Sequence, residues 1–353
     1  MLIITHHHSS SKISNQQGFS LVELMISIAI GLLLLAALST LFVNQSRTRA
    51  ELDKENRMID NGRYSLDILS ENLRLAGFYG EYDLSSSSLP ATWPNNPCST
   101  TASAIGDSLL LHVQGYNAAS ATSAVASPPT CVPSTIKNGS DILVMRRAQT
   151  TAIAAAAAVA NTTYLQVSLC TPTTGSESPF ILATAPATYN LSKKTCTAVN
   201  SGPSADLRRF LVQIYYVDSN NVAGDGVPTL KMAELGPANT FTSTPLVEGI
   251  EYMQIDYGID GVDTNADGIL DANIDGVADG VYVSCSACTA DQWSHVVSVK
   301  INILARNLET STGYTDPSTY TLGTVPSITP NDAYRRHAYT QVVRLTNPAG
   351  RRE

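Results

Sequence analysis

The sequence predicts an α+β protein in which a long N-terminal helix, with a transmembrane half and an amphipathic half, packs on a β-rich globular head. Three observations support this fold class. Residues 24–43 contain no charged side chain. Residues 44–76 contain no proline and repeat apolar side chains with a helical period. Beyond residue 80, apolar runs of strand length alternate with Gly, Pro, Ser and Asn.

The transmembrane half is expected over residues 19–43. A helix of the twenty uncharged residues 24–43 is about 30 Å long at about 1.5 Å per residue, which matches the hydrocarbon core of a bilayer. Glu23 lies at the beginning of this apolar run. An ionised carboxylate inside a bilayer costs on the order of 3 kcal/mol, so Glu23 is expected to have a partner.

The residues around Glu23 form a motif. Residues 18–23 read Gly-Phe-Ser-Leu-Val-Glu, and the segment 1–18 is polar with a single basic residue. An ordinary secretory signal has its apolar core before the cleavage point, whereas here the apolar run follows it. The motif resembles the processing site of type IV pilins and type II secretion pseudopilins. The resemblance implies that residues 1–18 are a prepilin leader, that prepilin peptidase cuts between Gly18 and Phe19, and that the new Phe19 amine is N-methylated.

Two interpretations of Glu23 remain. In the first, its carboxylate pairs with the free amine of Phe19 on a neighbouring processed subunit and sets the axial register of assembly. Apolar helices packed side by side remove water from both charges, and an unpaired buried charge is costly. In the second, Glu23 is a polar residue tolerated near the lipid headgroups. The flanking motif favours the assembly role.

Residues 44–80 are expected to continue the helix into the head. Apolar residues recur at spacings of three, four and seven, which predicts a stripe that docks on the head. Gly77 and Gly80 are expected to end the helix. The stripe consists of Leu52, Ile59, Leu66, Leu69 and Leu73.

The head is expected in two parts. Residues 81–206 are rich in Ala, Ser, Thr and Pro and poor in charge, which indicates a variable insertion. Residues 207–353 form the rest of the β head and include an Asp-rich loop at 260–279. The run 154–158 fits either a short helix or a strand. The candidate strands are residues 107–113, 141–147, 163–169, 207–217, 246–257, 295–305 and 339–345.

Several stretches resemble the PilW family of minor pilins. They are residues 61–78, residues 246–257, Trp293 before the apolar run 296–301, and Tyr-Arg-Arg at 334–336. The resemblance implies a minor pilin that joins a tip or priming complex, helps to initiate type IV pilus assembly, and supports twitching motility, adhesion or DNA uptake. The implied partners are other minor pilins, the major pilin, prepilin peptidase and the assembly platform. The implied location is the inner membrane of a Gram-negative bacterium, with a single span and a periplasmic head, and then the cell-surface pilus.

All six cysteines follow the apolar helix, and a periplasmic head lies where disulfides persist. Six cysteines allow fifteen sets of three bridges. The simplest set pairs each cysteine with the next one along the chain, and it would cross-link the insertion. The Cys-x-x-Cys at 285–288 favours a structural bridge over a redox centre, because it lies in a turn between strand-like segments. The expected bridges are Cys98–Cys131, Cys170–Cys196 and Cys285–Cys288.

Residues 263–279 contain a tandem repeat, Asp-x-Asn-x-Asp-Gly-x-x-Asp, with a period of eight. It resembles EF-hand and thrombospondin-type calcium loops, in which alternate oxygen ligands converge on one ion, but it lacks the glutamate at position twelve. No Lys or Arg lies between Lys231 and Lys300, so calcium would offset repulsion among the loop's aspartates. The alternative is a solvated, turn-rich connection. The candidate ligands are Asp263, Asn265, Asp267, Ile269, Asp271, Asn273, Asp275 and Asp279.

Charge and motifs argue against several classes of function. The formal net charge is −8, which disfavours direct nucleic-acid binding, and the pairs Arg146-Arg147 and Arg335-Arg336 are expected to contact acidic neighbours. The chain contains none of the motifs G-x-S-x-G, H-E-x-x-H or the phosphate-binding G-x-x-x-x-G-K-[ST]. No enzyme activity, catalytic residue or organic cofactor is therefore expected.

Two alternative functions share these features. A J-type pseudopilin of type II secretion has the same N-terminal helix and the same tryptophan before a strand. A calcium-dependent adhesin at the pilus tip would use the insertion as its receptor-binding surface. The long insertion, the Tyr-Arg-Arg segment and the aspartate repeat favour the pilus over secretion.

Overall fold

The computed structural model describes residues 18–82, 84, 87–90, 96–172, 175–324 and 327–352. The chain divides into two compact units, Met1–Asp53 and Lys54–Glu353. The predicted leader lies outside the described residues except for Gly18.

Helix α1 spans Leu21–Leu75 and is the longest element. In the first unit, the side chains of residues 21–50 are all exposed. By its length and composition, α1 is able to cross a membrane. A signal sequence near the N-terminus meets the same criteria. The predicted end is close to the observed one, because Gly77 and Gly80 adopt left-handed backbone with φ of 72° and 67°.

In the second unit, α1 buries the predicted stripe. Leu66, Leu69 and Leu73 are buried, whereas Leu52, which belongs to the first unit, is exposed. Each buried leucine contributes about 1.5–3 kcal/mol. Gly62 lies under the ring of Tyr339, and a Cβ at this position would collide with that ring.

The larger sheet of the head has seven antiparallel strands. Their order is β1-β2-β5-β3-β4, and β6 pairs with both β5 and β7. The long strand β5 pairs with β3 through residues 207–209 and with β6 through residues 213–218. The strands are β1 Val113–Tyr116, β2 Ile142–Ala148, β3 Tyr164–Val167, β4 Phe180–Ala183, β5 Leu207–Asp218, β6 Thr229–Leu235 and β7 Phe241–Glu248.

The smaller sheet has three antiparallel strands in the order β10-β9-β8. They are β8 Ile250–Ile259, β9 Val296–Arg306 and β10 Arg336–Arg344. Three short helices accompany the sheets: α2 Ala102–Gly106, α3 Ala290–Ser294 and α4 Thr346–Gly350.

Among the described residues, two large apolar clusters and a smaller one form the core. The first joins Leu69 of α1 to β9 residues such as Ile301 and to Met145 of β2. The second includes Val144 of β2 and Phe210 of β5. Because Val144 and Met145 are neighbours in one strand, the two large clusters lie on opposite faces of the larger sheet.

Two predicted strands differ from the structure, two observed strands were not predicted, and one open alternative is decided. The strand predicted over 107–113 begins only at Val113, because residues 107–110 form a turn after α2. The strand predicted over 246–257 is two strands, which Gly249 separates with φ of 76°. Strands β4 and β6 were not predicted. The run 154–158 contains a 3-10 turn at Ala155–Ala157.

Candidate functional site

The candidate assembly site lies at the start of α1, where Ser20 and Glu23 cap the helix. The Val22 N–H donates to the Ser20 hydroxyl oxygen at 3.2 Å, and the Ser20 N–H donates to Oε2 of Glu23 at 3.1 Å. This reciprocal arrangement satisfies backbone donors that the first turn of a helix leaves unpaired. Its signature, Ser-x-x-Glu, lies inside the processing motif and is the signal from which the cap could have been predicted.

The cap places the Glu23 carboxylate near the predicted cleavage point. Gly18 and Phe19 immediately precede Ser20, and the Phe19 side chain is 83% exposed. The positive end of the helix dipole favours a carboxylate at this position. A chain cut before Phe19 would carry its ammonium group one residue ahead of the capped Ser20. Cleavage, methylation and pairing of Glu23 stay predictions.

The helix that follows Glu23 presents apolar side chains all round. Leu33 and Phe42 are each 71% exposed, and no side chain between residues 21 and 50 is buried. An apolar surface of this size is unstable in water and needs lipid or other helices around it. This requirement agrees with a membrane-anchored segment.

The first half of the aspartate repeat bonds to its own backbone. Oδ2 of Asp263 accepts from Gly268 N–H at 2.8 Å, and Oδ1 of Asp267 accepts from Ile269 N–H at 2.9 Å. The hydrogen bond from Gly268 holds the pKa of Asp263 below its usual range. The Asp271 carboxylate accepts from a threonine hydroxyl at 2.8 Å. Backbone and hydroxyl donors thus offset part of the negative charge that calcium was expected to offset.

The second half of the repeat is anchored on Asp260. This residue is fully buried and accepts from Asp275 N–H at 3.0 Å and Gly276 N–H at 3.1 Å. Asp279 accepts from Gly261 N–H at 2.8 Å. Within the described ranges, no group of three or more His, Cys, Asp or Glu side chains is placed to hold a metal ion. Calcium binding by the repeat stays a prediction.

The six cysteines form three disulfides in the structure. The pairs are those of sequence neighbours, which was the simplest of the fifteen sets: Cys98–Cys131, Cys170–Cys196 and Cys285–Cys288.

The Tyr-Arg-Arg segment forms a buried ion cluster. Arg336 Nε donates to Glu251 at 2.5 Å, and its two terminal nitrogens donate to Asp332 at 2.7 Å. Asp316, which is fully buried, lies 3.4 Å from Arg336 Nη1. The neighbouring Arg335 pairs with Glu55 at 3.0 Å. These contacts agree with the expectation that both arginines contact acidic residues.

Arg146 does not follow that expectation. Its guanidinium is buried and donates to the Leu111 carbonyl and to Gln114 Oε1, each at 2.8 Å, and the described residues pair it with no carboxylate. Burial lowers the pKa of Arg146 to about 10. Sequence reasoning missed this because a buried arginine with neutral partners has no local signature.

Comparisons with known proteins agree with these features. The model of the family described as type IV pilus-assembly protein W matches residues 214–347, from β5 to α4. The model of the prokaryotic N-terminal methylation motif matches residues 13–39, across the predicted cleavage point. No curated protein matches the sequence.

A type IV-like pilin from Thermus thermophilus is similar to part of the chain. The match has 16% identity, covers 40% of this chain and 70% of the other, and has a TM-score of 0.22, a likeness too slight to transfer any property. The family comparisons do not depend on it. With a methylation motif at the start of α1 and a PilW domain over most of the later strands, the chain is similar to type IV pilin-like minor pilins in both of these regions.

Proposed function

We propose that this protein is a minor pilin that helps to initiate type IV pilus assembly after cleavage between Gly18 and Phe19. One observation carries the proposal: a carboxylate, Glu23, caps the start of an exposed apolar helix within a few residues of the amine that cleavage would create. The methylation motif and the PilW domain support the same function.

Assembly would exchange the local role of Glu23 for an intermolecular one. Before assembly, its carboxylate accepts from the Ser20 N–H of its own chain. In a filament, the apolar helices would surround both the carboxylate and the Phe19 ammonium of a neighbour, and pairing would offset their desolvation. Such a pair forms at a single axial offset, so it would set the register between subunits.

The test separates charge pairing from helix capping. Glu23→Gln keeps an oxygen that accepts from Ser20 N–H but removes the charge, whereas Glu23→Ala removes both. Mass spectrometry of the membrane-extracted protein reports removal of residues 1–18, and immunoblots of sheared pili report incorporation. We expect both variants to be processed and neither to be incorporated.

The matched control is Ser20→Ala, which removes the hydroxyl cap and leaves the Glu23 charge. This variant should be incorporated. Normal incorporation of Glu23→Gln would show that capping alone suffices and would refute the pairing mechanism.

The priming role has a physical rationale in nucleation. A few specialised heads that pair side by side would gather their helices in the inner membrane, so that major subunits add to an existing bundle at a lower entropic cost. The partners in this step would be other minor pilins and the major pilin at the assembly platform, with the head in the periplasm.

Deletion of the gene distinguishes this role from that of a J-type pseudopilin. We expect surface pili and twitching motility to be lost while secretion of type II substrates continues, and complementation by the full chain to restore pili. Loss of secretion with normal piliation would favour the pseudopilin. Normal piliation with lost adherence would favour the tip adhesin.

A further inference from the structure

Strand β1 has an outer edge with which no other strand pairs among the described residues. It is the terminal strand of the larger sheet, and Val113 faces Met145 of β2. Arg146 N–H donates to the His112 carbonyl at 2.9 Å. In an antiparallel pair, only every second residue directs its backbone N–H and C=O groups to the partner strand. Since His112 does so toward β2, Val113 and Gly115 direct their backbone groups away from it. Among the described residues, no backbone hydrogen bond joins these groups to another segment on that side.

A groove of about 440 Å³ lies next to this edge. Gly115, Tyr116 and Asn117 line one part of it, and the Cys285–Cys288 disulfide and Trp293 line another. Its volume falls within the ~300–1,000 Å³ that binding sites usually have. The groove therefore joins a strand outside the PilW match to a loop inside it.

Among the described residues, no charged side chain lines the groove. Its walls are glycine, alanine, serine, amide, aromatic and disulfide side chains. This neutrality contrasts with the net charge of −8 and with the aspartate repeat that ends shortly before Cys285. A charged occupant would lose its hydration without gaining a counter-charge, so a neutral occupant is complementary to this surface.

One buried polar atom of the groove lining, and another in the layer behind it, have no hydrogen-bond partner among the described residues. The Tyr257 side chain is 1% exposed, and its hydroxyl, which lies against Gly115, has no hydrogen-bond partner within the described part of the chain. The same is true of Oδ1 of Asn117. Nearly all buried polar atoms in native structures are paired, so Asn117 Oδ1, on the groove lining, is the atom that a ligand with a hydrogen-bond donor would satisfy. The Trp293 ring contacts Tyr257 edge-on, with centroids 4.6 Å apart.

We propose that this groove binds an extended, uncharged peptide segment of a partner subunit, which adds as a strand to the outer edge of β1. A peptide supplies the backbone N–H and C=O groups that Gly115 requires and a donor for Asn117. The four residues of β1 can pair with a segment of about 13 Å, at about 3.3 Å per residue. The inference concerns the head alone and is independent of the role of Glu23.

The test uses the full chain in detergent micelles and a library of fluorescently labelled, end-capped pentapeptides of Ala, Val, Thr and Ser. Fluorescence anisotropy reports affinity, and hydrogen exchange at residue 115 reports the location. We expect saturable binding by some library members and slower exchange at residue 115. N-methylation of alternate peptide amides should weaken binding at least tenfold, because it removes the donors that pair with a strand edge.

Variants of the groove test the same claim. Ala287→Arg and Ala119→Trp add bulk at exposed lining positions, so the fold should tolerate them, and both should weaken binding at least tenfold. Ala124→Arg is the control, because Ala124 is exposed and close to Ala119 in sequence but does not line the groove. This variant should bind normally.

Asn117→Ala should weaken binding about tenfold, by the loss of one hydrogen bond to its Oδ1. Tyr215→Phe removes a buried, unpartnered oxygen away from the groove and should bind normally. The proposal is overturned if no library member binds better to the native chain than to Ala287→Arg. Equal binding of the N-methylated peptides would overturn strand addition.

Discussion

The head contains two acidic regions that offset their charge in different ways. Around Arg336, three carboxylates share one buried cation, and the shortest contact is 2.5 Å. In the aspartate repeat, the carboxylates of Asp263 and Asp267 accept mainly from backbone N–H groups near the surface. A buried guanidinium leaves an uncompensated charge when it is removed, whereas an exposed turn is rehydrated by water. The comparison teaches that a cluster of carboxylates does not by itself identify a metal site, because arginine or backbone amides can offset the charge that a metal ion would offset.

The largest effect is expected at Arg336. Replacement by methionine should lower the free energy of unfolding by about 3–5 kcal/mol, because Asp316 would remain buried without a cation and Glu251 would keep only Arg306, at 3.8 Å. Urea denaturation measures the change. Arg335→Met is the control, since its pair with Glu55 is partly exposed and should contribute about 0–1 kcal/mol. Equal losses for the two variants would contradict the distinction between buried and exposed pairs.

Asp260, which precedes the repeat and anchors its second half, should contribute more than the exposed aspartates. Asp260→Ala leaves two backbone N–H groups without their acceptor and Arg352 without the carboxylate 3.4 Å from its Nη1, and it should cost about 1–3 kcal/mol. Hydrogen exchange at residues 275 and 276 should accelerate. Asp267→Ala, at an exposed position, serves as the control and should cost less than about 1 kcal/mol. A stable Asp260→Ala variant with slow exchange would show that other contacts hold this loop.

Calcium binding by the repeat would mean that a bound ion, as well as backbone amides, offsets the charge of this region. If the repeat binds calcium, ten times Kd of free ion should stabilise the head by about 1.4 kcal/mol and raise its Tm, and EGTA should reverse the shift. The double variant Asp263→Asn with Asp267→Asn should abolish the response. A melting curve that does not move with calcium or EGTA would leave backbone amides as the explanation for the acidic loop.

The smallest expected effect is the loss of the stability contributed by Asp332 at acidic pH. Arg336 donates to Asp332 and holds its pKa below the usual range. The ionised form is thus favoured in the folded state, so its contribution is complete above about pH 4 and is lost as the pH falls through the lowered pKa. The difference in Tm between wild type and Asp332→Asn should be constant from pH 7 to pH 5 and shrink below about pH 4. A constant difference down to pH 2.5 would contradict the assigned cause.

Much of the architecture was predictable because its signals are local. The end of α1 follows from helical periodicity and from glycines with left-handed backbone, and β2, β5 and β9 follow from apolar runs. Strand β6 was missed because half-exposed charged residues, Lys231 and Glu234, interrupt its apolar pattern. The split at Gly249 was missed because strands lie on both sides of a single turn residue.

The candidate sites divide in the same way. Glu23 was predictable because the motif around it is six residues long, and its cap has a signature of four residues within that motif. The groove was not predictable, because Gly115 and Trp293 are far apart in sequence and neither has a local sign of the other. The contact between Gly62 and Tyr339 is of the same kind.

By itself, the sequence determined the apolar helix, its acidic start and the expectation of disulfides, because these depend on neighbouring residues and on composition. The tertiary structure decided which strand edge stays free, which hydroxyls are buried without partners and which carboxylates share Arg336. Those outcomes depend on how distant segments pair and exclude water, which composition and short-range spacing do not specify.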